Sequence, residues 1–253
     1  MFKKIYKKIF SEKTRIKIRT GLEQCTAFLY FGNQFECNCC GKTFRKLKSK
    51  GNVLRKNAKC PYCGSLERTR VLFFYLEKET TIFTKKDCKV LHFAPEQALF
   101  SKFIKQKNIE YIDADINPNY ANYVFDIEKI PYSDAHFEYI ICAHVLGHVH
   151  NEQKAIEELF RVLKPEGQAL IMTLMDKNRE KTLEDPAVVT PEERLQHYSE
   201  QDLARLHGLD FAQRLSHRFK VEEIDYRQKF DEATQRRFSL GDGAREIIFN
   251  CTK

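Results

Sequence analysis

From about residue 80 onward, short apolar runs alternate with amphipathic ones, and this rhythm restricts the fold more than any other feature of the chain. Residues 89–93 (KVLHF) read as a buried strand. Residues 95–107 read as a helix with Leu99, Phe100, Phe103 and Ile104 on one side. Residues 111–115 and 139–143 are further strands. Residues 152–163 form a helix that places Ile156, Leu159, Phe160 and Leu163 on one face and is stopped by Pro165 and Gly167, and residues 169–174 are a strand again. Parallel strands need long crossovers, usually helical, so strand and helix in turn predict an α/β fold with a doubly wound, mostly parallel sheet. The last two strand signals, residues 219–226 and 245–251, have no clear helix between them and are expected to pair antiparallel at one edge.

Before that sheet stand two C-x2-C pairs, Cys37/Cys40 and Cys60/Cys63, separated by 19 residues. Each short turn presents two sulfurs, and two turns meeting close a tetrahedral thiolate site, so the spacing points to structural Zn2+ with no open coordination position. Gly41 and Gly64 follow the second cysteine of each pair, where a tight turn is needed. The alternative is four reduced thiols packed as small hydrophobes. Cys39, inside the first pair, is a rival ligand to Cys40. The other four of the nine cysteines, Cys25, Cys88, Cys142 and Cys251, are scattered and read as buried thiols of a cytoplasmic protein. The organisation predicted is a basic front over residues 1–32, a zinc-ribbon-like module with its connecting helix over 33–78, and the sheet domain over 79–253. No apolar run approaches the ~18–20 residues of a membrane span, and no secretory segment is expected at the start.

Charge is uneven. Residues 1–60 hold 16 Lys+Arg against 3 Asp+Glu, whereas the remainder holds 27 against 32. Phe2, Ile5, Tyr6, Ile9 and Phe10 recur at helical spacing among Lys3, Lys4, Lys7 and Lys8. A basic amphipathic helix of this kind suits an anionic membrane surface, contacted through residues 1–20, or RNA; the alternative is a stripe docked on its own protein.

In a doubly wound sheet a ligand sits at the carboxyl ends of the strands. Here those ends read His92-Phe93-Ala94-Pro95-Glu96, Asp113-Ala114-Asp115, Asp126-Ile127-Glu128 and Ala143-His144. A carboxylate ending the second strand, where Asp115 stands, accepts both hydroxyls of a ribose. Neither G-x-G-x-x-G nor the full phosphate loop G-x-x-x-x-G-K-[ST] occurs (Gly41-Lys42-Thr43 has Glu36 where the loop's first glycine would stand), which disfavours dinucleotides and triphosphates and leaves an adenosine ligand without phosphate, such as S-adenosylmethionine. The alternative is that these acids are solvated loop charges.

The stretches CPYCGSLERTR (60–70), VLHFAPE (90–96), YIDADINP (111–118), HVLGHV (144–149), LFRVLKPEGQALI (159–171), KTLEDPAVVTPEER (181–194) and DLARLHG (202–208) resemble class I S-adenosylmethionine-dependent methyltransferases of the methyltransferase type 11 kind, in particular a bacterial group with a zinc-ribbon front. The resemblance covers nearly the whole chain. It implies a Rossmann-like methyltransferase fold in which His92, Phe93, Ala94 and Glu96 line the methionine moiety of the cofactor. It further implies that Asp115 binds the ribose, that Asp126 lies near the adenine, and that Ala143 and the stretch from His144 to His148 face the methyl group. A segment carrying Tyr198, Asp202 and Arg205 is implied to fold over the acceptor. Near the acceptor two positions depart from the group: Gly147 stands where it has Glu, and Leu203 where it has His; away from it, Lys164-Pro165-Glu166-Gly167 replaces the commoner Gly-Gly ending.

On this reading the chain is an enzyme that methylates a small molecule or a cell-envelope glycan hydroxyl, with His144 or His148 as the catalytic base. A rival is an RNA methyltransferase gripping phosphates with its ribbon and basic front, against which the acidic body argues. A third reading, prompted by Gly147 and Leu203, is a degenerate methyltransferase fold that only binds.

Overall fold

The structure, a computed structural model, describes residues 10–253. The front stripe of Phe2, Ile5, Tyr6 and Ile9 lies outside the described residues. Helix α1, Glu12–Thr26, follows it and is N-capped by Ser11, whose side chain accepts from Thr14 N. Two short antiparallel hairpins come next: β1 (Phe31–Cys37) with β2 (Lys42–Phe44), and β3 (Lys48–Lys50) with β4 (Arg55–Lys59). Helix α2, Glu67–Glu79, leads out of them and buries every residue from Thr69 to Leu76. A helix apolar on all sides needs cover on all sides, and α2 has it, between the hairpins and the sheet.

The sheet comprises β5 (Cys88–Phe93), β6 (Ile109–Asp115), β7 (Tyr123–Val124), β8 (Phe137–Ala143), β9 (Leu163–Met172), β10 (Lys220–Ile224) and β11 (Ile248–Thr252). Its order is β10-β11-β9-β8-β5-β6-β7. The pairs β5–β6, β5–β8, β6–β7 and β8–β9 are parallel. β11 pairs antiparallel with β9 and with β10, as the last two strand signals predicted. Successive strand residues face opposite sides, and both sides are dry. Val90, Ile141, Leu170 and Ile248 pack with α2 and with α3 (Gln97–Phe103). Leu91, Ile140, Ile171 and Phe249 pack with α4 (Glu152–Val162) and α6 (Phe211–Ser216). The fold is thus the Rossmann-like α/β arrangement expected. The first of these cores runs unbroken from Cys37, Phe44, Leu47 and Cys60 through α2 into the sheet, so the cysteine module and the sheet share one interior.

Four details differ from the sequence reading. Cys25, on α1, is exposed rather than buried, because that helix buries no residue. α3 spans only Gln97–Phe103, because Pro95 and Glu96 belong to the loop after β5, and Ile104, just past its end, is exposed. α4 ends at Val162, ahead of Pro165 and Gly167, because Leu163 already pairs with Phe137 of β8. Between β10 and β11 lies α7, Glu232–Phe238, N-capped by Asp231; it buries no residue and so carries no apolar periodicity to read. The remaining helix, α5, is Pro191–Tyr198. Among the described residues no helix is long and apolar enough to cross a membrane.

Candidate functional site

Cys37 ends β1 and Cys60 follows β4, so each hairpin delivers one cysteine at its end and the second from the turn beyond. The turns close through Gly41 N to Cys37 O at 2.7 Å and Gly64 N to Cys60 O at 3.2 Å. Both glycines take positive φ, +68° and +76°, which a side chain would oppose. The Sγ atoms of Cys37, Cys40, Cys60 and Cys63 all lie within 4.8 Å of one another. Cys39 points elsewhere, toward the Thr69 carbonyl, and burial pushes its thiol well above the ordinary range. The geometry therefore groups Cys40, rather than Cys39, with the other three.

The second constellation lies at the carboxyl ends of β5, β6 and β8. β5 is flanked by β6 on one side and β8 on the other, so chain order reverses between β5 and β8, where such sheets open a crevice. Two non-glycine residues in left-handed backbone stand at that point, Ala94 (φ 46°) after β5 and His144 (φ 59°) after β8. Such strain costs roughly 1–3 kcal/mol and clusters at ligand-contacting turns. The side chains of Phe93 and Ala143 are buried in the core, which leaves only their backbone to meet a ligand. His92 is fully buried: its Nδ1 meets the Tyr111 hydroxyl at 2.9 Å and its Nε2 faces Glu96 at 3.4 Å. Burial opposes ionisation of Glu96, but His92 and Arg68 together outweigh it and hold the carboxyl below the usual range.

Asp113 and Asp115 share one face of β6 and do different things. Asp113 is buried and accepts from Asn122 N (2.8 Å) and from Asn122 Nδ2, tying down the turn after β6. Asp115 is half-buried; its Oδ1 accepts from Asn117 N at 2.8 Å and its Oδ2 has no hydrogen-bond partner among the described residues. Asp126 is exposed, with Oδ1 capping the turn at Glu128 N.

A cavity of about 510 Å³ opens between the β3–β4 hairpin and the ends of β8 and β9. It is lined by Lys50, Asn52 and Arg55 from the hairpin, by Arg68 from α2, and by His144, His148 and Asp202. His144 Nε2–H donates to the Arg245 carbonyl at 3.0 Å. Burial and the nearby Arg68 guanidinium hold this imidazole far below its usual range, so it is neutral. His148 Nδ1–H donates to the Asp202 carbonyl at 3.0 Å, a contact that in the neutral ring puts the lone pair on Nε2. Glu200 closes the rim, accepting from Asn52 at 2.7 Å and from Arg245 at 3.1 Å.

Two residues expected near an acceptor stand apart from this cavity. Tyr198 is fully buried, with its hydroxyl on the Asp185 backbone at 2.9 Å. Arg205 is 2% exposed and donates to the carbonyls of Leu146, Val149 and His150 and to Glu184, so it shapes the loop after β8 from behind. The two departures from the group are in contact: a Cβ on Gly147 would lie 2.7 Å from Leu203 Cδ2. Arg68, Glu200, Arg245 and the buried Thr173–His207–Glu152 chain (2.7 and 2.6 Å) escaped the sequence reading. Of these, Arg68 in CPYCGSLERTR and His207 in DLARLHG carried a signal, their place in those stretches.

Residues 60–209 match a family described as a methyltransferase domain. The ubiquinone/menaquinone biosynthesis C-methyltransferase UbiE of Pseudomonas aeruginosa is 31% identical over 72 residues, 28% of this chain and 28% of that protein. Its counterpart in Pseudomonas putida is 37% identical over 65 residues, 26% of this chain and 21% of that protein. The chain thus matches only about a quarter of the length of these relatives. Among solved structures, that of the SpnF cyclase superposes with a TM-score of 0.52 at 13% identity, covering 82% of this chain and 86% of that one, a likeness of fold alone.

Proposed function

The chain belongs to the methyltransferase domain family, and from that premise we propose that it transfers a methyl group from S-adenosylmethionine to the hydroxyl of a small molecule or cell-envelope glycan. The observation that carries the cofactor half is Asp115 at the end of β6, with one oxygen held by Asn117 N and the other unpartnered. It stands beside a β5 loop, His92-Phe93-Ala94-Pro95-Glu96, that has no glycine to cradle a phosphate. This fits an adenosine ligand whose ribose needs an acceptor and whose other end carries no pyrophosphate. Asp115 would hold the ribose hydroxyls, and the backbone of Ala94 and Ala143 would flank the amino-acid end.

When bound, the cofactor supplies an electrophilic methyl on a sulfonium; the chain's own residues align the acceptor and take its proton. His148 lines the cavity with Nδ1 held on the Asp202 carbonyl, and the neutral ring is placed to accept that proton on Nε2. His144, held neutral by burial, is a much weaker base and serves better as an acceptor that orients the substrate. The four clustered thiols would hold Zn2+ as thiolates with no position left for substrate, a structural role. Residues 1–20 would bring the enzyme to an anionic membrane surface where an envelope acceptor is presented.

The test is calorimetric titration with S-adenosylhomocysteine, followed by a screen of acceptors with labelled cofactor. Micromolar or tighter binding is expected; folded protein that binds none ends the proposal.

A further inference from the structure

Arg68 and Arg70 lie two residues apart at the start of α2, yet their surroundings are opposite. Arg70 is fully buried and satisfied, donating to the carbonyls of Ala58, Ser65, Phe238 and Ser239. Among the described residues the Arg68 side chain makes no hydrogen bond, although a guanidinium has five N–H donors. Its nearest charged partner is Glu96, with Nε 3.4 Å from Oε1. Arg68 Nε, both Glu96 oxygens and His92 Nε2 are buried and lack a hydrogen-bond partner. Buried charges are normally paired and hydrogen-bonded, because leaving them otherwise is costly. Here a cation and an anion stand slightly apart with donors and lone pairs unused, at the mouth of the crevice between β5 and β8, and Arg68 lines the cavity beside His144.

We propose that Arg68 and Glu96 form a clamp for a zwitterion: Arg68 receives the carboxylate, and Glu96 the ammonium, of the amino-acid end of S-adenosylmethionine. The inference rests on the cofactor reading above. A ligand of one charge would satisfy one member of the pair and be repelled by the other, whereas an α-amino acid group satisfies both and replaces a loose contact by charge-assisted hydrogen bonds. The planar fork of Arg matches a carboxylate in two places, which Lys does not. The clamp spans two parts of the chain. Glu96 comes from the loop after β5, and Arg68 from the helix that follows Cys60 and Cys63 directly, so the cysteine module supplies one wall of the cofactor site.

The experiment compares two probes, S-adenosylhomocysteine and 5′-methylthioadenosine, which has the adenosine and the sulfur but no amino-acid end. Each is titrated calorimetrically into wild type, Arg68→Gln and Glu96→Gln. Wild type is expected to bind S-adenosylhomocysteine at least about 30-fold tighter than methylthioadenosine, by the strength of charge-assisted bonds. Each variant should lose about 10- to 100-fold in S-adenosylhomocysteine affinity while methylthioadenosine changes by less than about 3-fold. Retained methylthioadenosine binding also shows that the variant is folded. A variant that binds S-adenosylhomocysteine like wild type overturns the clamp, and so does parallel loss of both ligands, which marks a merely structural pair. Wild type binding both probes equally overturns the clamp alone; wild type binding neither overturns the cofactor reading beneath it.

Discussion

Asp113 and Asp115 allow a sharp test, because they share a strand, a charge and a face, and the structure gives them different work. Asp115→Asn keeps a side-chain oxygen to accept from Asn117 N and replaces the unpartnered Oδ2 by an amide NH2. A ribose hydroxyl that met an anionic acceptor then meets a neutral donor. The loss of charge-assisted hydrogen bonds in a partly desolvated site is about 2–4 kcal/mol, or about 30- to 1000-fold in dissociation constant. Asp115→Ala should lose as much and also a little stability, since the turn bond goes too. Asp113→Ala removes the buried acceptor of Asn122 N and Nδ2 and leaves that N–H unpaired, so it should cost about 1–3 kcal/mol of folding. Its S-adenosylhomocysteine affinity should stay within about 3-fold, because no bond to the ligand is removed. Calorimetric titration of the three variants, paired with thermal melts, separates the two roles. The reasoning is wrong if Asp115→Asn binds like wild type, or if folded Asp113→Ala loses as much affinity as Asp115→Asn.

Metal analysis of purified protein should find about one zinc per chain, and Cys60→Ser should lower both metal content and melting temperature, whereas Cys39→Ser should leave the metal in place; equal metal loss in both variants would contradict the grouping seen here. Gly147→Glu should destabilise by about 1–3 kcal/mol through overpacking against Leu203, and adding Leu203→His should recover most of it; simple additivity in a thermal double-mutant cycle would show the two positions to be independent. Glu246 is 1% exposed, and burial raises its carboxyl above the ordinary range. The folded state therefore holds this proton more tightly than the unfolded one, and its favourable contribution, complete below the unfolded pKa of about 4.4, is lost as pH rises through the folded value. Glu246→Gln, whose amide oxygen can still accept from Gly243 N and Arg245 N, should melt higher at pH 7 with a flatter profile from pH 4.5 upward; a lower melting temperature at pH 7 would refute this.

The sheet was legible because its strands are buried on both faces and its helices keep a 3.6-residue stripe; Ile156, Leu159 and the Val90–Leu91 pair could not easily serve another element. The cysteine group was legible because spacing alone fixes which sulfurs meet, although only the structure separates Cys39 from Cys40. The acceptor side was not. Arg205 and Tyr198 carry polar groups in a motif, and nothing in the sequence says that one holds three carbonyls behind a loop and the other a backbone at Asp185. Arg68 and Arg70 make the same point: their roles depend on which face of α2 meets the Phe238–Ser239 backbone, some 170 residues away. Local pattern records periodicity and spacing; it does not record which distant carbonyls consume a donor.

The contact between Gly147 and Leu203 changes how the acceptor side should be understood. Two polar residues of the group are replaced here by a hydrogen and an apolar side chain that fill the same space. A single loss would leave a hole or an unpaired group, whereas the joint change leaves a packed wall. That wall faces the cavity and offers little to recognise an acceptor. The opposite wall, residues 49–55 of the β3–β4 hairpin with Arg68, carries Lys50, Asn52 and Arg55. Arg55 is already paired with Glu67 at 3.0 Å and Asn52 with Glu200, so of the hairpin side chains on this wall Lys50 is a cation with no ion pair among the described residues. On the proposed reading, then, polar recognition of the acceptor is shared between His144 and His148 of the sheet and the hairpin of the cysteine module, so a structural metal in that module would bear on which acceptor is seated.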